Sequence, residues 1–176
     1  RFDPLQKGFP SMMINYMSGA TDLKVIERER IQWLLNELEL QRQGDIVDQS
    51  TAVRTGKVLG ANAVVFGSYT VHEDQMLLTA RVVKVETSEI MLSEQVMGEP
   101  DEFFDLVKDL SMQVTRAINV ELEEDQLGAG QTNSLDAMMA YSDGLDELED
   151  GNYRAAYEQF LRASELDPNY QRAKLK

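Results

Sequence analysis

Three runs of β-branched and aliphatic residues, Ala63 to Val71, Met76 to Val85 and Ile90 to Met97, are separated only by His72-Glu73-Asp74-Gln75 and Glu86-Thr87-Ser88-Glu89. Links this short cannot carry the crossover that parallel strands require, so the runs must pair as an antiparallel meander. In the middle run Leu78, Ala80, Val82 and Lys84 share one parity, while Leu77, Thr79, Arg81, Val83 and Val85 share the other. Apolar residues on both parities predict a central strand covered on both faces. Such a sheet must be buried by other elements, and the flanking sequence has helical period.

Between Pro4 and Met17, the residues Leu5, Phe9, Met12, Met13, Tyr16 and Met17 recur at three- and four-residue spacings. With Asp3 as N-cap and Pro4 in the first turn, they predict a helix despite Pro10, its methionines serving as adaptable core. Leu23 to Ile26 reads as a short strand, because Val25 and Ile26 suit a pleated backbone. From Glu27 to Gln43, the stripe Ile31, Leu34, Leu35 and Leu38 predicts a helix that Gly44 ends, with Trp33 as core on a second side. Asp48 or Ser50 caps a shorter helix whose Ala52, Val53, Gly56, Leu59 and Gly60 permit close approach to the sheet. A long helix over Pro100 to Leu122 presents Phe103, Leu106, Val107, Leu110, Val114, Ala117 and Ile118 on one face.

Charge excludes several function classes. The chain has 31 acidic and 17 basic residues, a net −14, and no Lys/Arg cluster, so it repels a phosphate backbone and nucleic acid is excluded as a partner. No apolar run approaches the roughly 18 residues that a membrane-spanning helix needs. Cysteine is absent, which removes disulfides and thiolate chemistry. The chain opens at Arg1-Phe2-Asp3-Pro4 without a charged segment followed by an apolar one, so a signal peptide or lipidation cysteine is expected upstream.

No constellation of catalytic residues emerges. His72 is the only histidine and lacks a second nitrogen ligand, which reads as a surface residue at a hairpin tip. Gly56-Lys57 resembles the end of a phosphate loop, but Thr51 stands where the first glycine belongs and Val58 where the magnesium-binding hydroxyl belongs. Ser68 lacks a nucleophile elbow and reads as a strand bend. The acidic groups Glu121, Glu123, Glu124 and Asp125, and Asp143, Asp146, Glu147, Glu149 and Asp150, lack calcium-loop spacing and read as solvated faces. No catalytic residue, cofactor or metal is predicted, and the chain is not expected to be an enzyme.

The blocks Val25-Ile26-Glu27-Arg28, Leu34 to Gln41, Gly44, Val47-Asp48, Thr51 to Ala61, Val64 to Tyr69 and Ala80 to Thr87 occur in order over residues 3 to 120. Together they resemble the periplasmic core of the CsgG-like (curli production assembly/transport component) family, with TolB-like amino-terminal domains the next most similar. The resemblance implies a cell-envelope location, periplasmic and anchored to the outer membrane through a lipidated N-terminus, and a first strand upstream of residue 1. Pore-forming relatives carry long hairpins. The His72 to Gln75 link is too short for strands of about 9 to 11 membrane-spanning residues, so a channel is not expected.

Beyond residue 133, Gly144, Asp150-Gly151-Asn152-Tyr153, Ala156, Phe160, Ala163 and Leu166-Asp167-Pro168 resemble a tetratricopeptide (TPR) repeat. Its first helix departs from that pattern at Ala140, Asp143 and Glu147. A single repeat cannot bury its own apolar face, so it must dock on the first domain, on another copy or on repeats beyond Lys176.

The expected architecture is an α+β domain over residues 1–122, with three to four antiparallel strands flanked by helices. A linker over 123–133 and an all-α helical hairpin over 134–176 follow. The expected function is an envelope scaffold that binds protein partners or pairs with itself, using Tyr141, Tyr153, Tyr157 and Tyr170 as exposed anchors. A second reading, a TolB-like sensor, would require a small-ligand pocket between helix and sheet.

Overall fold

The computed structural model describes residues 5–18, 20, 23–26, 30–31, 33–34, 48–120 and 132–174. Strands β1 (Ala63–His72), β2 (Gln75–Lys84) and β3 (Ile90–Gly98) form an antiparallel sheet in the order β1-β2-β3, each within one residue of its expected bounds. Register runs unbroken from Ala63 opposite Lys84 to His72 opposite Gln75, leaving Glu73 and Asp74 as the turn. β2 pairs with β3 from Met76 opposite Gly98 to Val82 opposite Leu92, where a bulge follows.

Helices pack on both faces of the sheet, on one of them at the Val64 and Val85 end. Helix α2 (Gln49–Leu59) starts at Asp48, whose carboxylate accepts from the Thr51 amide at 2.8 Å and from the Ser50 hydroxyl at 2.7 Å. These bonds, the Ser50 hydroxyl foremost, hold the Asp48 carboxyl below the usual carboxylate range. Gly60 closes the helix at φ 68°, a left-handed backbone that glycine adopts without penalty. Within α2, Gly56 lies where a Cβ would stand 2.6 Å from Val64 and 2.8 Å from Val85, so the small face brings helix and sheet together as expected. Helix α3 (Phe103–Ala117) packs on β2 and β3, burying Phe103, Leu106, Val107, Leu110 and Val114. Its buried hydroxyls are satisfied locally: Ser111 donates to the Val107 carbonyl at 2.7 Å and Thr115 to the Ser111 carbonyl at 3.1 Å.

Helix α1 (Leu5–Ser18) contains Pro10 and still forms. An interior proline costs roughly 3 kcal/mol, whereas burying a large apolar side chain gains about 1.5–3 kcal/mol. Leu5, Phe9, Met12, Met13, Tyr16 and Met17 are all buried, so packing prevails. On one side Phe9 meets Phe103 of α3 edge to face, with ring centroids 6.4 Å apart. Burial, with the Asp105 charge adding to it, pushes the Tyr16 hydroxyl up to about 12.

The other side of α1 meets α4 (Leu135–Glu149), which with α5 (Tyr153–Leu166) forms a helical hairpin followed by the short helix α6 (Gln171–Lys174). A Cβ on Gly8 would lie 2.5 Å from Ser142 Oγ and 3.1 Å from Met138 Sδ, which measures how closely α1 and α4 approach. The hairpin therefore docks on the first helix, one of the three destinations the sequence left open. Side chains from α1, β2, α3, α4, α5 and α6 belong to one buried cluster. Most of the expected linker lies outside the described residues.

Four local expectations are corrected. Leu23–Ile26 is not a strand. A strand needs a hydrogen-bonded neighbour as well as β-branched residues, and the described sheet ends at β1 and β3. Trp33 is 63% exposed because it sits one residue before buried Leu34 on a helical stretch, about 100° around the axis. The remainder of that helix, with Leu35, Leu38 and Gly44, falls outside the described residues, as do Asp3 and Pro4. α3 ends at Ala117, short of Leu122: Asn119 turns left-handed (φ 57°) and the Val120 amide donates back to the Thr115 carbonyl at 2.9 Å. Ser68 does not mark a bend, since it pairs in register with Thr79.

The hairpin crossing depends on Gly144, where a Cβ would stand 2.5 Å from the ring of buried Phe160. Gly144→Ala is expected to lower stability by about 1–3 kcal/mol through overpacking. Phe160→Leu in the same chain should restore part of that loss, because the two residues share the contact. Strictly additive losses in denaturant titration would contradict this crossing.

Candidate functional site

The residues with nominal chemical potential do not converge. His72 is exposed at the end of β1, opposite Gln75. Ser68 Oγ lies 3.0 Å from Thr79 Oγ1, a cross-strand hydroxyl pair in which the Ser68 amide also donates to Thr79 at 3.0 Å. Gly56 is buried in the second half of α2, so its packing against the sheet accounts for it. Among the described residues, no three His, Asp or Glu side chains gather closely enough to hold a metal ion. Glu121 to Asp125 lie outside the described residues.

The four candidate tyrosines divide in two. Tyr153 and Tyr157 are 73% and 64% exposed on α5, whereas Tyr141 and Tyr170 are 2% and 1% exposed. The exposure expected of Tyr141 and Tyr170 is therefore corrected. Tyr141 sits inside the hairpin against Phe160 and Tyr170, with centroids 5.5 and 5.2 Å away, and the Tyr170 hydroxyl donates to Met138 Sδ at 3.7 Å. Large rings carry the most apolar area available to close so small a core, which is why these two are inside.

Leu161, 44% exposed, continues the surface begun by Tyr153 and Tyr157. The three residues are four apart and lie within an arc of roughly 80° on α5, spanning about 12 Å. The inner side of the same helix carries the buried Ala156, Phe160 and Ala163. Leu161 was not among the residues the sequence singled out, although the spacing from Tyr153 was a legible signal.

Acidic groups border this ridge. A shallow groove at the α4–α5 corner is lined by Glu147, Asn152, Tyr153, Arg154, Ala155 and Glu158. Asn152 donates its side-chain amide to Glu147 at 2.9 Å, and Arg154 pairs with Glu158 at 3.3 Å. Asp143 on α4 is held above the usual carboxylate range by partial burial, then by the charges of Asp146 and Glu147, with Arg162 opposing. A second open depression lies at the exit of α2, beside Lys57 and Lys84. It lies where the end of α2 meets the end of β2. What the surface offers is an aromatic and apolar ridge with a negative border, suited to contact with a macromolecule.

Residues 3–76 match the family model described as curli production assembly/transport component CsgG. That segment carries α1, α2, β1 and the start of β2, and over it the chain is similar to that family. No curated protein matches the chain. Among solved structures, the C-terminal domain of LpoB from Salmonella enterica is similar at 19% identity, with a TM-score of 0.38. The match covers 44% of this chain and 57% of the LpoB chain.

Nitration with tetranitromethane is expected to modify Tyr153 and Tyr157 in the folded protein and to spare Tyr16, Tyr141 and Tyr170 until unfolding. Peptide mapping reads the outcome. Modification of Tyr141 or Tyr170 at the rate of Tyr153 would contradict the packing of the hairpin.

Proposed function

We propose that this chain is a non-enzymatic scaffold of the bacterial cell envelope, in which a CsgG-like α+β part carries a helical hairpin that recruits another protein. The reading rests on one observation above others: Tyr153 and Tyr157 stand exposed in line on α5. Exposed tyrosines in line offer large amphipathic area that contributes strongly when a partner covers it. The envelope location rests on the family match over residues 3–76. No described helix is long and apolar enough to cross a membrane, so this reading has the described part acting at a surface.

Scaffolding also suits the absence of converging chemistry among the described residues, since binding by surface complementarity requires no nucleophile or base. The β1–β2 connection is a two-residue turn, and the β2–β3 link runs only from Val85 to Glu89. The reading therefore uses the fold of a curli-type assembly component without assigning it a pore. In this reading the hairpin belongs to the TPR class, as Gly144, Ala156, Phe160, Ala163 and Pro168 suggest.

A photo-reactive phenylalanine analogue at position 157, in the protein expressed in its source cells, is expected to give a discrete cross-linked adduct in the envelope fraction. The same analogue at exposed Arg54 on α2 is expected to give none. Equal labelling from both positions, or none from position 157, would contradict recruitment through α5.

A further inference from the structure

We propose that the partner surface on α5 is built for a basic amphipathic helix: a protein segment with aliphatic residues along one side and lysine or arginine along its flanks. The inference rests on the scaffold reading above and specifies the chemistry of the partner. Its geometric basis is the ridge Tyr153, Tyr157 and Leu161, three exposed side chains at successive four-residue steps on a helix whose opposite side is packed. Ridges formed by residues four apart are what a second helix accepts into its grooves.

Charge selects the sign of the partner. The helical unit, residues 134–176, contains nine carboxylates and five basic residues, three of the latter after Tyr170. The two arginines of α5 already face acids of the same unit: Arg154 pairs with Glu158 at 3.3 Å, and the charge of Arg162 acts on Asp143. Glu147 and Glu158 line the groove beside Tyr153 together with Arg154, which pairs with Glu158, so a partner's guanidinium or ammonium group meets Glu147 and the π face of the exposed ring there. A second copy of this chain is the poorer occupant, because a two-fold contact sets this acidic border against itself.

The probe is a fluorescein-labelled Leu/Lys amphipathic helix of about 18 residues, with a Leu/Glu helix of the same length and apolar pattern as its counterpart. Fluorescence anisotropy with the whole 176-residue chain should show saturable binding of the Leu/Lys helix and none of the Leu/Glu helix. Tyr153→Ala with Tyr157→Ala should weaken binding about tenfold or more, the scale of an aromatic anchor. Glu147→Gln with Glu158→Gln should weaken it and flatten its salt dependence. Circular dichroism of each variant establishes that the fold is retained, and Arg54→Ala on α2 should leave binding unchanged.

Equal binding of the two helices would overturn the proposal. So would Leu/Lys binding indifferent to the tyrosines, which reports only the overall charge, or a chain that dimerises through these tyrosines. Cross-linking at position 157 together with failure of the Leu/Lys helix would remove the basic partner and leave the scaffold. Peptide binding without any envelope cross-link would do the reverse.

Discussion

The packing of α1 between α3 and α4 is the contact on which the rest of the molecule depends. One side of the helix places Phe9 against Phe103, and through α3 it seals the sheet. The other side brings Gly8 against Ser142 and Met138 of the hairpin. The hairpin exceeds what its own two helices can bury, and a three-stranded sheet needs helices to close it. A single methionine-rich helix meets both needs. Met12, Met13 and Met17 suit that position because an unbranched thioether adapts to two differently shaped neighbours.

This arrangement also explains why α5 is the face left for recognition. α4 is occupied on one side by α1 and on another by α5, and its largest ring, Tyr141, is enclosed by Phe160 and Tyr170. α5 presents Ala156, Phe160 and Ala163 inward and keeps Tyr153, Tyr157 and Leu161 outward. The outward residues are therefore a consequence of which helix face the core consumes. Their acidic surroundings add selectivity to a surface whose gain on binding comes from apolar area.

The meander was legible in the sequence because its information is local: two short links and the alternation along Met76 to Lys84 leave only one pairing scheme. The helix over α1 was legible as well, despite Pro10, since six large residues kept helical spacing. What the sequence misread depended on distant contacts. Leu23–Ile26 has strand-forming residues but no described strand neighbour, and Trp33 was assigned to the core although the core side of that helix belongs to Leu34. Tyr141 and Tyr170 are 29 residues apart in the chain and meet only once the hairpin has closed, so neither position advertises its burial. The end of α3 was missed because Asn119 performs a turn more often assigned to glycine.

That the sheet and the hairpin form one folding unit through α1 is tested most directly by native-state hydrogen exchange in increasing denaturant. Amides of β2 and of the α4–α5 pair should converge on one global opening. Gly8→Leu, which wedges α1 away from α4, should lower the opening free energy of the α4–α5 amides below that of β2. Separate openings of the hairpin and the sheet in the unaltered chain, with no effect of Gly8→Leu on their difference, would contradict the account.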